Sequence, residues 1–423
     1  MITTTPSAAV KAAAPVSPFR FAPWLLLVVA AGIVSVATAP GQTAGLSIFT
    51  DPLISELHVS RTGISVSYLI GTLLGAAAQP LVGRALDRFG VRRVTLVIGV
   101  CFAVILVGMS FVTEIFGLTA GFVGVRMAGQ GALSLAATTA VARAITHRRG
   151  LALGISSAIG SAGISLAPVF LESLVSSVGI HDAWRWEALL VVLITVPLSL
   201  VFPRKVALRS PDIPDNTAEV AIIQASWTPR EAMRTGMFWV IALSLAASGM
   251  LSTGLAFHQI AILGEQGLSP AQAAANFLPQ TATGIIATLL VGALIDRWNP
   301  RLFVGFSMLS LAGALVLLPT VTPGFSAIVY GLVLGAASGA LRGMEAAAYV
   351  RYFGTTHIGS IRGIATAISL ASTALGPIAF SIGHDMTETF TIPAVIFAAF
   401  PLLVAVLAVV TRTPTRAPRE SRD

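Results

Sequence analysis

The chain has 423 residues, of which 55% are apolar and only 10% charged, and its mean hydropathy is +0.86. About a quarter of the residues of a soluble domain are charged, so a string of soluble domains is excluded. The formal charge of +8 does not point to nucleic acid, because the cations sit almost wholly in short segments between apolar runs, where they signal topology.

Apolar runs of about 20 residues match a hydrocarbon core roughly 30 Å thick, and they recur from Trp24 to Val410. They predict an all-α, polytopic membrane protein of twelve spans in two six-helix halves. A cytoplasmic tail (1–21) with no removable leader comes first. The first half (22–202) holds spans near 22–45, 62–82, 93–112, 115–141, 150–177 and 186–202. A polar linker (203–235) with four prolines follows. The second half (236–410) holds spans near 236–261, 277–295, 301–320, 325–350, 363–383 and 391–410, and a cytoplasmic tail (411–423) ends the chain. The one cysteine, Cys101, lies in an apolar run, which leaves no disulfide framework or thiolate metal site. With no Walker-type phosphate loop or nucleophile elbow, the expectation is no cofactor, no metal, no catalytic residue and no enzymatic activity.

The distribution of the 26 Lys and Arg residues orients the spans. With the N-terminus in the cytoplasm, 22 fall in cytoplasmic segments, Arg61 and Arg185 on the other face, and Arg126 and Arg342 inside spans. The positive-inside rule then predicts a multi-pass protein of the inner membrane with both termini cytoplasmic.

The loop after span 2 reads GRALDRFGVRR (Gly83 to Arg93), and the loop after span 8 reads GALIDRWNPR (Gly292 to Arg301). Asp87 and Asp296 stand 209 residues apart, the mark of a repeated half. Gly83, Asp87, Arg88, Gly90, Arg92 and Arg93 resemble the loop 2–3 signature of the major facilitator superfamily. The resemblance implies alternating access, with Gly83, Asp87 and Arg88, and Asp296 and Arg297 in the second copy, forming a cytoplasmic gate latched in the outward-open state. Asn299 replaces the glycine of the second copy, and Asn tolerates a left-handed backbone better than most residues. WTPREAMRTGMFWV (Trp227 to Val240) and YFGTTHIGSIRG (Tyr352 to Gly363) are similar to the monocarboxylate and oxalate/formate branch, which moves small organic anions, often with protons. Oxalate-type members carry basic residues in spans 8 and 11; the predicted spans here carry none.

In that family spans 1, 4, 7 and 10 line the central cavity, and each carries polar residues at helical spacing. Span 1 offers Ser35, Thr38 and Gln42, and span 4 offers Thr119, Arg126, Gln130 and Ser134. Span 7 offers Ser244, Ser248 and Ser252 with His258 and Gln259, and span 10 offers Ser338, Arg342, Glu345 and Tyr349. Tyr68 and Thr72 on span 2 reach the same space. A single hydroxyl in a membrane helix usually bonds its own backbone, so the ionisable groups weigh more. Arg126 is roughly 17 Å from one end of its span and 25 Å from Arg143, too deep to snorkel. Both arginines are expected to face the cavity and attract an anion through bidentate donors. Glu345 either neutralises Arg342 one turn away or takes a proton when that arginine turns to substrate. His258 is a further titratable candidate.

The expected function is secondary active transport, as proton-coupled uptake of a small organic anion such as a monocarboxylate. A carrier or exporter of a larger aromatic, vitamin-like or drug-like solute is the alternative. A membrane enzyme or sensor would need a catalytic cluster or an extra soluble domain, and the sequence has neither. The expected partners are substrate, protons and the lipid bilayer, with no nucleic acid, and the working unit is a monomer.

Overall fold

A computed structural model describes residues 23–145, 149–203, 227–295, 297–354 and 357–414. The predicted tails and most of the linker lie outside the described residues, as does Asp296. Nine helices are long and apolar enough to cross a membrane by themselves among the described residues. One of them, running from Arg149 to Ser199, is two spans joined at Gly179. Two more spans are assembled from shorter pieces, and the sum is twelve.

Span 1 is Pro23–Val36 and Thr43–Leu57 with a 3-10 turn, Ala39–Gly41, between them. Span 2 is Arg61–Phe89 and span 3 is Val91–Met109. Span 4 is Ile115–Val125 and Ser134–Ala144 with a π-helical stretch, Arg126–Leu133, between. Spans 5 and 6 are 149–178 and 180–199. Span 7 is Gly236–Phe257, span 8 Pro270–Leu294, span 9 Pro300–Leu317, span 10 Phe325–Phe353, span 11 Ile358–Thr387 and span 12 Thr391–Val410.

Local chemistry sets several ends. Ser60 accepts a hydrogen bond from the Gly63 amide at 3.0 Å and starts span 2. Gly90 separates spans 2 and 3 at φ 82, and Gly179 separates spans 5 and 6 at φ 81. Both backbones are left-handed, where a side chain would be strained. The second loop copy is built differently. Asn299 has φ −72, and its side chain accepts from the Arg301 amide at 3.2 Å to cap span 9. The predicted left-handed role of Asn299 is therefore replaced by capping.

Each half has its own apolar core. One runs from Leu27 to Phe202, the other from Ala232 to Ala408, and Phe257 and Ala274 of the second half pack into the first. Large apolar side chains such as Val104, Leu193, Leu289 and Val406 remain exposed on the outside, as expected of surface that faces lipid.

The halves meet at the face away from the loop arginines. Thr62 donates to Asp385 at 2.5 Å, the Ser65 and Ser381 hydroxyls bond at 2.5 Å, and Ser165 bonds Thr281. Arg61 stacks on Phe390 at 5.4 Å, and the Tyr68 and Phe257 rings lie 4.5 Å apart. At the basic end each half braces itself. Arg143 donates to the Leu86 carbonyl at 3.1 Å, and Arg351 donates to the Ile295 carbonyl at 3.2 Å. Leu86 and Ile295 are the same 209 residues apart as the loop motifs, so the repeat holds in three dimensions.

Candidate functional site

The break in span 1 positions the most unusual side chain of the first half. Between Val36 and Thr43 the helix gives way to a tight turn in the Thr-Ala-Pro-Gly-Gln segment 38–42. Helix interruption frees backbone carbonyls, which inside a membrane must find partners. Arg126 supplies one: its Nη1 donates to the Gly41 carbonyl at 3.0 Å. The same nitrogen reaches Thr43 Oγ1 at 3.4 Å, and Nε donates to Thr72 Oγ1 at 3.1 Å. The guanidinium carbon lies 4.5 Å from the Tyr68 ring centroid, a cation–π arrangement. The Tyr68 and Thr43 hydroxyls bond at 2.7 Å, and Gln42 donates to Thr38 Oγ1 at 2.9 Å.

Spans 1, 2 and 4 thus gather Gln42, Thr43, Tyr68, Thr72 and Arg126 into one polar cluster. Half-buried Gln130 sits at the edge of the cluster in the π-helical stretch, its backbone amide against Gly41. A π-helical turn in an α-helix commonly marks a functional position. Arg126 is 3% exposed, and no ion pair with a described acidic residue neutralises it.

The other predicted residues separate. Arg342 is exposed on span 10 and its Nη2 lies against Gly284 of span 8, where an added Cβ would come within 2.9 Å. It forms no ion pair or hydrogen bond with the described residues, and no contact joins it to Arg126. The expected pairing of Arg342 with Glu345 is not formed. Glu345 instead accepts from Arg362 Nη2 at 3.3 Å. Span 11 begins at Ile358 rather than near 363, so Arg362 belongs to its first turns, and the expectation of a span 11 without a basic residue is corrected.

His258 lies at the seam between the halves, 1% exposed. Its Nε2 is 3.0 Å from the Pro377 carbonyl and 3.1 Å from Ser381 Oγ, which continues to Ser65 of the first half. Asp87 pairs with Arg143 inside its own half, Arg88 lies over Phe89 at 5.3 Å, Gly83 has open space around it, and Arg297 is exposed. Many stripe hydroxyls bond their own helix, among them Ser35 to Ala31, Thr119 to Ile115 and Ser244 to Ile241. Ser252 and Ser338 connect spans 7 and 10 at 3.4 Å.

Two residues outside the predicted set matter. Thr43, held between Arg126 and Tyr68, follows directly after Gln42 and lies off the Ser35, Thr38 and Gln42 stripe. Glu187 lies on span 6, which starts at 180 and not near 186, and it is buried to 3% exposure.

Comparison with known proteins agrees with this architecture. The oxalate:formate antiporter of Oxalobacter formigenes is 23% identical over 221 residues, which cover 52% of this chain and 50% of that protein. An aspyridones efflux protein of Emericella nidulans is 24% identical over 372 residues, covering 84% of this chain and 70% of that protein. An uncharacterized transporter of Escherichia coli is 26% identical over 249 residues, 55% of this chain and 56% of the relative. The chain spans about half the length of the two bacterial relatives. A bacterial homolog of the human lysosomal transporter Spinster, solved in an inward-facing and unoccupied conformation, superposes with a TM-score of 0.70 at 16% identity, over 92% of this chain and 97% of that one. The model of the Major Facilitator Superfamily matches residues 32–377. The chain belongs to that superfamily: it is a multi-pass membrane transporter of the twelve-helix fold, and not an enzyme.

Proposed function

We propose that the chain is a secondary active transporter that takes up a small organic anion such as a monocarboxylate, with protons, by alternating access. One observation carries the reading. Arg126 is buried beside a broken span and no described acidic residue neutralises it. A buried arginine costs from about 2.5 kcal/mol upward at mid-membrane, and an anionic ligand offsets that cost where it binds. Gln42, Gln130 and Tyr68 supply neutral polar contacts around it, and Arg342 adds positive charge from the second half. The similarity to the oxalate:formate antiporter supports an anionic substrate.

Sidedness follows the arginine distribution, with both termini cytoplasmic and the protein in the inner membrane. Among the described residues, the side-chain bonds between the halves lie in the middle and outer parts of the spans, which supports a state open inward. Asp87 bonds Arg143 of its own half, as expected when the cytoplasmic gate is not latched. The chain works as a monomer.

The test is solute uptake into vesicles containing the purified protein, with and without a pH gradient. Arg126→Lys keeps the charge but loses the forked donor set, and we expect a fall in anion transport of tenfold or more. Unimpaired transport by well-inserted Arg126→Ala would refute the anion site. Similarity to the aspyridones efflux protein over 84% of this chain favours a second reading, export of a larger lipophilic solute. A neutral aromatic solute transported independently of Arg126 would decide for it.

A further inference from the structure

Of the Asp, Glu, Lys and Arg side chains among the described residues, two are buried below a tenth of their surface: Arg126 and Glu187, each 3% exposed. Both lie beside the same segment, the break in span 1. Arg126 bonds the Gly41 carbonyl. Glu187 stands in the wall of a crevice of about 290 Å³ between spans 1, 5 and 6, and Ala37, Ala39 and Pro40 of the break line that crevice. The rest of the lining is apolar, and Leu166 and Phe170 at 54% and 53% exposure put its mouth on the lipid-facing side.

Glu187 is eight residues into span 6, roughly 11 Å along the helix, and its Oε2 is sealed from solvent with no hydrogen-bond partner. An ionised carboxylate held that way costs several kcal/mol with nothing to offset it.

We propose that Glu187 is a proton-binding site of the transporter, neutral in the conformation described here, and that the break in span 1 couples its proton to the anion at Arg126. The proposal rests on the transport reading above. The step is a simple proton transfer. A hydronium ion on one side gives up its proton, so that its O–H bond breaks, one forms on the carboxylate and water is left; on the other side the carboxyl O–H bond breaks and water takes the proton to become hydronium. An anion that engages Arg126 competes with the Gly41 carbonyl for Nη1. The break shifts when that bond is given up, and Ala37, Ala39 and Pro40 shift with it against Glu187.

Among the described residues, no other charge sits in position to take over this role. Span 3 carries no acidic or basic side chain from Val94 to Met109. On span 5 Glu172 is half-buried and does not line the crevice. On span 6 Arg185 bonds Asp182 and Ser110, and His181 bonds Glu56. In the second part of span 1 Asp51 pairs with Arg61, and span 8 carries no charge from Phe277 to Leu294. Trp184, one turn before Glu187, also keeps a buried Nε1–H without an acceptor.

Two measurements on the full chain in lipid vesicles test this. In pH-difference infrared spectra without substrate, a protonated-carboxyl band should titrate, vanish in Glu187→Gln and shift in Glu187→Asp. With radiolabelled lactate, the wild type should concentrate label under an inward pH gradient, whereas Glu187→Gln should only equilibrate it and Glu187→Asp should retain partial accumulation. A carboxyl band that survives in Glu187→Gln, or gradient-driven accumulation by that variant at the wild-type level, overturns the proposal. Failure of the wild type to exchange lactate at all counts against the substrate reading, and the infrared band still decides Glu187.

Discussion

Gly41→Ala tests whether the broken segment of span 1 is clamped against span 4. A Cβ added at Gly41 would lie 2.6 Å from the Val125 carbonyl oxygen, 2.8 Å from the Gln130 amide nitrogen and 2.8 Å from Gly129 Cα. All three are backbone atoms, so no side chain can swing away and the segment itself must retreat by several tenths of an ångström. The Arg126 to Gly41 bond, 3.0 Å long, then passes the usual limit for an N–H to oxygen hydrogen bond. Overpacking costs about 1–3 kcal/mol, and losing a hydrogen bond from a charged donor costs about 1.5–3 kcal/mol. The variant should therefore be about 2.5–6 kcal/mol less stable, read as a fall of several degrees in the apparent unfolding temperature in detergent, with a matching loss of transport. Gly108→Ala is the control: its Cβ meets nothing within 4 Å, and helix propensity predicts a neutral to slightly stabilising change. Wild-type unfolding and transport in Gly41→Ala would refute the clamp.

Glu345 and Arg362 form a partly exposed pair, so Glu345→Gln and Arg362→Gln should each lower stability by about 1 kcal/mol or less. The double variant should lose less than the sum of the two in thermal unfolding. Thr62→Cys with Asp385→Cys, in a Cys101→Ser background, joins two residues bonded across the seam. Oxidation should stop transport and reduction should restore it; transport that continues in the cross-linked protein would contradict alternating access. His258→Ala should lower stability by about 1–3 kcal/mol, because Ser381 and the Pro377 carbonyl lose a buried partner.

The number of spans, their grouping into halves and the repeated loop were legible because each depends on composition over many residues. What escaped depended on contacts between distant segments. The Pro40-Gly41 pair is a recognisable turn signal, but residues 22–45 are apolar enough to be read as one helix. Only Arg126 and Gly129, some 85 residues on, reveal that the turn is held. Likewise Arg342 and Glu345 have the spacing of a helix pair, but the extra turn at the start of span 11 brings in Arg362, which takes the carboxylate. Span 6 also starts at 180 and not near 186, which places Glu187 well inside it. The sequence made Arg126 conspicuous because an arginine deep in an apolar run is unusual whatever its partners.

The seam between the halves bears on how readily the molecule can change state. Ser65–Ser381 and Ser165–Thr281 are hydroxyl–hydroxyl bonds worth about 0.5–1.5 kcal/mol net each, Thr62 donates to the Asp385 carboxylate at about 1.5–3 kcal/mol, and none of the three is an ion pair. Parting them strands no unmatched charge in a low-dielectric interior. The three together amount to about 2.5–6 kcal/mol, of the order of the few kcal/mol that separate a resting conformation from a minor one. Such a joint favours one conformation at rest, and the modest difference in affinity that one bound solute provides is enough to reverse that preference.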